Sequence, residues 1–129
     1  MSYIIEARDN IRTVAFTGSL ASRDLAEVAE RLSVARRHNP QAMNILAELS
    51  GLSDIEIDIA SMENFAAGLL HLTLTENIKI AFVAKTMIQD SYAESFRILM
   101  EHPQIEVQVF QNERDAYEWL SKCGTIDEQ

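Results

Sequence analysis

The sequence predicts an α/β domain on a mixed, mainly parallel sheet, with elements in the order ββαβαβαβα. Three observations carry that prediction. Short runs rich in β-branched and aromatic residues alternate with longer segments of helical period. Breakers fall between them, at Asn39-Pro40, Pro103 and Gly124. Only the first two runs lack a helix between them, being separated by Asp9-Asn10. Strands alternating with helices give parallel pairing and right-handed crossovers, and the opening hairpin makes the sheet mixed.

The elements follow in order. Residues 3–8, YIIEAR, and 11–17, IRTVAFT, read as strands. Asp9 and Asn10 tolerate positive φ and suit a two-residue hairpin, and Gly18 is expected to end the second strand. Residues 22–38 read as a helix, with Ser22 as the N-cap candidate and Asp24 in the first turn. Its stripe is Leu25, Val28, Ala29, Leu32 and Ala35, and Asn39-Pro40 stops it. Residues 43–49, MNILAEL, form a strand whose Ile45, Leu46 and Ala47 suggest burial on both faces.

The next stretch is ambiguous. Ile55, Ile57 and Ile59 alternate with acids, the period of a strand, whereas IASMENFAAGLLHL reads as a helix. We take 54–58 as an extended lead-in and 59–72 as helix. Residues 77–84 are a strand. Residues 89–102 are a helix capped by Asp90 or Ser91, with Tyr92, Phe96, Leu99 and Met100 facing in and Pro103 ending it. Residues 105–110 are the last strand. Asn112 caps a final helix whose face is Ala116, Trp119, Leu120 and Cys123, with Gly124 as its C-terminal cap.

Composition bounds the function. A chain of 129 residues fits one domain and can bury roughly two-thirds of its unfolded surface, so it needs no disulfide or metal. Cys123 is the only cysteine. Glu6 and Asp9 precede any long apolar run, which argues against a signal peptide. No run approaches the roughly 18 apolar residues of a membrane span. A cytoplasmic protein is expected. Residues 1–50 carry six Arg and six acids. Residues 51–129 carry five basic and fourteen acidic residues, and so supply the whole net charge of −9. A phosphate-gripping surface needs the opposite balance, so nucleic acid is not an expected partner. The one basic cluster, Arg36-Arg37, complements the negative end of its helix.

Several motifs now point one way. The C-terminal strand ends in Val109-Phe110, and Asp115, Ala116, Trp119 and Leu120 follow a short polar turn. The strand KIAFVA and the run Gly68-Leu69-Leu70-His71 complete the set. Over residues 3–121 the chain resembles the SpoIIAA-like bacterial proteins, relatives of STAS domains whose fold is also compared with lipid-binding CRAL-TRIO domains. Residues 122–129 are left as a tail. The resemblance implies a binding or regulatory role and no reaction. Family members often carry a Trp and a Lys in the central helix. Here Ala66, Ala67 and Leu70 stand near those places.

In the STAS relatives that antagonise anti-sigma factors, a serine in an Asp-Ser-Ser-Gly-Leu type segment is phosphorylated. The matching place here reads Ser50-Gly51-Leu52-Ser53-Asp54, with Glu48-Leu49 before it. Ser50 and Ser53 are therefore the candidate phosphorylation sites of a partner-switching regulator. The alternative is structural: Ser50-Gly51 turns the chain and Ser53 or Asp54 caps it. Turn chemistry favours the second, because a phosphate beside Asp54, Glu56 and Asp58 would be repelled.

No catalytic site is expected. His38, His71 and His102 share no metal-ligand spacing, and the four glycines form no phosphate loop. Asp54, Glu56 and Asp58 alternate as in a calcium loop but lack its Gly and distant Glu. Neither cofactor nor metal is expected.

The candidate surface is the helix 59–72. Ile59, Met62, Ala66 and Leu69 form the stripe expected to pack on the sheet. Phe65, Ala67, Leu70 and Leu72 spread apolar surface beyond it, and Gly68 permits a close approach. His71 could add a polar contact. Phe65, Gly68, Leu70, His71 and Leu72 are thus the expected ligand or partner surface. The occupant would be a second copy, as a homodimer, another protein, or a small apolar ligand or lipid.

Overall fold

The computed structural model describes residues 2–8, 11–38, 44–72, 78–103 and 105–121, with side chains for all of these except 2, 8, 35–38 and 69–72. Six strands and four helices follow in the order β1 (Ser2–Arg8), β2 (Ile11–Ala21), α1 (Ser22–His38), β3 (Asn44–Glu48), β4 (Leu52–Glu56), α2 (Ile59–Leu72), β5 (Ile78–Val83), α3 (Met87–Leu99), β6 (Ile105–Phe110) and α4 (Glu113–Ser121). The sheet order is β1-β2-β3-β5-β6, with β4 paired to β2. Only β1 is antiparallel. The mixed, mainly parallel α/β fold is therefore what the sequence predicts. The β1–β2 register pairs Arg8 with Ile11. Asp9, Asn10, Asn39 and Pro40 lie outside the described residues.

β2 departs from expectation. It does not end at Gly18 but runs on to Ala21. Gly18 has φ 81°, and the register shifts between Gly18 and Ser19. A residue at positive φ favours glycine, and a bulge there re-aims the strand. Before the bulge β2 pairs β3, and after it β4. The expected lead-in is thus a strand, Leu52–Glu56. The alternation is real: Leu52, Ile55 and Ile57 are buried while Asp54 and Glu56 face water.

Each side of the sheet has its own core. On one side α1, α2 and α3 cover Val14, Phe16, Ala47, Ile80 and Phe82. The helices contribute Leu25, Val28, Leu32, Met62, Ala66, Ala93, Phe96 and Met100, all buried. On the other side Ala116 and Leu120 of α4 close over Ile11, Leu46, Ala81 and Val83. The central strand β3 is buried from both sides, as its apolar run predicts, with Leu46 under α4 and Ala47 under the other helices. Trp119 packs on Phe110 at 5.7 Å between ring centroids, and Lys79 Nζ lies 5.1 Å from the Trp119 ring.

The helix starts need two corrections. α3 begins at Met87, capped by Thr86 rather than by Asp90 or Ser91. Gln89 N–H donates to Thr86 Oγ1 (3.1 Å), while Gln89 Oε1 accepts from Thr86 N–H (3.3 Å) and Lys85 N–H (2.8 Å). This reciprocal capping box satisfies donors that a helix start otherwise orphans. The same helix ends at Leu99 with Met100 as cap, before Pro103 is reached. α1 starts at Ser22 itself, and the Asp24 carboxylate accepts from Ala21 N–H at 2.8 Å. Asn112 caps α4 as expected, accepting from Asp115 N–H at 2.8 Å. Cys123 and Gly124 lie outside the described residues.

Candidate interaction site at the C-terminal edge of the sheet

Parallel strands send their crossover helices out from one edge, so α2 and α3 both start where the strands end. Three short connections build that edge. The first is the turn Ser50-Gly51, closed by Leu52 N–H donating to Leu49 O at 3.0 Å. Gly51 O accepts from Gly18 N–H at 3.2 Å, and a Cβ on Gly51 would lie 2.6 Å from Phe16 O. A side chain there would meet backbone, so the position needs glycine. Ser50 donates to Glu48 Oε2, whereas Glu48 Oε1 is buried without a hydrogen-bond partner among the described residues. Ser53 donates to Gly18 O at 3.1 Å.

The second connection leads into α2. Asp58, rather than Ser53 or Asp54, takes up the helix start: its Oδ1 accepts from Ser61 N–H at 2.7 Å. That bond, with a further one from the Ser61 side chain, holds the Asp58 carboxyl below its ordinary pKa. Neither Ser50 nor Ser53 is at a helix start, because β4 intervenes. The third connection is the Thr86 cap of α3. Gln89 Nε2 also donates to Leu52 O at 2.9 Å, and Tyr92 Oη donates to Ile55 O at 3.4 Å, tying α3 to β4.

The polar groups of this edge are thus largely spent on turns and caps. Apolar side chains stand in water there as well, beside the exposed Asp54, Glu56, Lys85 and Asp90. Ile59 is 70% exposed, Met87 88% and Ile88 63%. Ile59 was expected on the buried stripe of its helix. Met62 and Ala66, about a turn and more later, are the residues of that helix found buried. Met87 and Ile88 were missed as site residues. Thr86-x-x-Gln89 is a capping-box pattern, and reading it would have placed both on the first turn of a helix.

The expected surface residues fall in different places. Phe65 is half-buried, edge-on to Phe96 at 5.6 Å between centroids, and Phe96 stacks on Phe82 at 5.8 Å. Gly68 is exposed, with nothing within 4 Å of where a Cβ would stand. Leu70, His71 and Leu72 belong to α2, but their side chains lie outside the described residues. His102 is half-buried at the opposite end of α3, bridged to Ile105. Beneath α1, α2 and α3 lies a wholly apolar cavity of about 30 Å³, lined by Phe65, Phe82, Phe96, Val28 and Leu32 among others. No described helix is long and apolar enough to cross a membrane.

Comparison with known proteins settles the lineage. The model of the SpoIIAA-like family matches residues 11–121. The chain belongs to the SpoIIAA-like family. No curated protein matches the sequence. Among solved structures, it is similar to an uncharacterised DUF3478-family protein with a SpoIIAA-like fold from Shewanella loihica. That match has TM-score 0.57 and 18% identity, and covers 92% of each chain. It is also similar to the anti-sigma factor antagonist SpoIIAA in its unphosphorylated form. There the TM-score is 0.55 at 11% identity, over 92% of this chain and 96% of that one. At such identities the likeness is one of fold.

Proposed function

We propose that this SpoIIAA-like chain is a non-catalytic binding and regulatory module. Its working surface is the edge where α2 and α3 begin, and its partner is a protein. The observation that carries the reading is the exposure of Ile59, Met87 and Ile88 on helix starts whose polar groups are already bonded. Apolar side chains held toward water in fixed positions gain about 25 cal/mol per Å² when a partner covers them. A related fold serves an anti-sigma factor antagonist, which supports a protein partner. A small apolar ligand or lipid under α2 has less support. Ligand pockets run to roughly 300–1,000 Å³, and the cavity there is about 30 Å³. In this reading Ser50 is a turn residue and Ser53 a β4 residue that ties the strand to Gly18 O. A phosphate on Ser50 would meet the Glu48 carboxylate that its hydroxyl now bonds.

The test compares proteins retained from source-cell extract by the wild type and by a Met87→Glu/Ile88→Glu variant of equal melting temperature. A specific protein held by the first and lost by the second is expected. Identical retained sets, or a small apolar molecule bound to the purified protein by native mass spectrometry, would sink the reading. Stoichiometric phosphate on Ser50 or Ser53 would hand control to the serine turn.

A further inference from the structure

β1 is the end strand of its sheet. One edge bonds β2 without a break from Ser2 to Arg8, and the other carries no strand among the described residues. Such an edge presents unpaired N–H and C=O groups, and chains usually blunt it with charged side chains, above all Lys, with Pro or with a bulge. SYIIEAR has charges only toward its end, Glu6 and Arg8 of opposite sign, has neither Lys nor Pro, and its register with β2 is unbroken.

Apolar surface flanks this edge on both sides. On one face Ile4 is 61% exposed. On the other, α1 runs alongside, its Glu27 Oε1 accepting from Tyr3 Oη at 2.7 Å and Arg31 standing 5.4 Å above the Tyr3 ring. Between α1 and β1 lies an open groove of about 510 Å³, lined by Ile5, Glu27, Glu30, Arg31 and Val34.

We propose that two copies of this chain join here, β1 against β1, about a two-fold axis passing between their Ile5 residues. Two identical strands related by such an axis pair antiparallel. The register that overlaps all seven residues of β1 sets Ile5 against the partner's Ile5 and Tyr3 against the partner's Ala7. It also sets Ile4 against the partner's Glu6 and Ser2 against the partner's Arg8. No like charges then stand opposite each other. Sliding by two residues one way puts Glu6 against Glu6, which disfavours that register. The full overlap brings the Ile5 floors of both grooves together and covers Ile4 from the other side. The groove rim carries both signs, Glu27 and Glu30 beside Arg31, so two copies of it can meet without a single-sign repulsion. This surface is separate from the α2–α3 edge, so either can fail without the other.

The experiment uses the full chain. Sedimentation over a concentration series should show a dimer for the wild type. Ile4→Lys, a change at an exposed position, should self-associate at least about tenfold more weakly with its melting temperature unchanged. In a Cys123→Ser background, Ile5→Cys should form a disulfide-linked dimer under mild oxidation, whereas Met87→Cys should not. A wild type that stays monomeric at every concentration overturns the proposal. So does cross-linking through Met87→Cys but not Ile5→Cys, which would place the contact at the α2–α3 edge.

Discussion

The two sides of the sheet are covered by different means. On one side α1, α2 and α3 form a layer in which α2 touches both other helices, while α1 and α3 also touch strands. On the other, α4 is the one helix among the described residues, and of its nine residues only Ala116 and Leu120 are fully buried. Within the layer the contacts are largely apolar, as in the Phe65–Phe96–Phe82 stack. The lone helix is pinned partly by polar clips. Asn44 Nδ2 donates to Leu120 O at 3.1 Å, and Lys79 Nζ donates to Trp119 O at 3.4 Å. The lesson concerns apolar breadth. A helix with one neighbour needs a narrow stripe, while a helix between two others needs a wide arc. Part of the surplus apolar surface of α2 is therefore consumed inside the domain, Phe65 against Phe96 being the clearest case.

Four measurements would break or sharpen that comparison. The largest effect is expected in the layer. Phe96→Ala removes a ring that touches both α2 and β5, and should cost about 3–5 kcal/mol by chemical denaturation. A loss under 1 kcal/mol would show that the three-helix core does not depend on the stack. The lone helix should be more tolerant. Trp119 is half-buried, so Trp119→Ala should cost about 2–3 kcal/mol, less than a fully buried ring. A larger loss than for Phe96→Ala would reverse the ranking of the two sides.

Next comes the α3 cap. Thr86→Ala breaks the capping box and should cost about 1 kcal/mol, with Thr86→Ser restoring most of it. If Thr86→Ser is no better than Thr86→Ala, the hydroxyl is not what holds that start. The smallest effect concerns the single-carboxylate cap of α2. Asp58 is depressed in the folded state, so its contribution is present above the ordinary Asp value of about 3.9. It is lost as pH falls through the lower folded value. Asp58→Asn should remove that acid-side slope while keeping the cap. An unchanged slope would assign it to other carboxylates.

Much of this molecule was legible in the sequence. Residues 59–72 and 105–110 form the helix and strand their periods predict, and the Ala116-x-x-Trp119-Leu120 face docks where its spacing says. These are local or self-consistent signals: a 3.6-residue period, a two-residue alternation, a cap. The lineage was legible too, because packing motifs recur with the fold. Tertiary structure decided what depends on distant partners. β4 is a strand because the far half of β2, swung round at Gly18, offers it an edge. Phe65 turns inward because Phe96, from another helix, meets it. Ile59 stays in water because the neighbouring helices close over α2 only about a turn later, at the buried Met62. A sequence states which residues avoid water, but which neighbour covers them is fixed only when segments far apart in the chain come together.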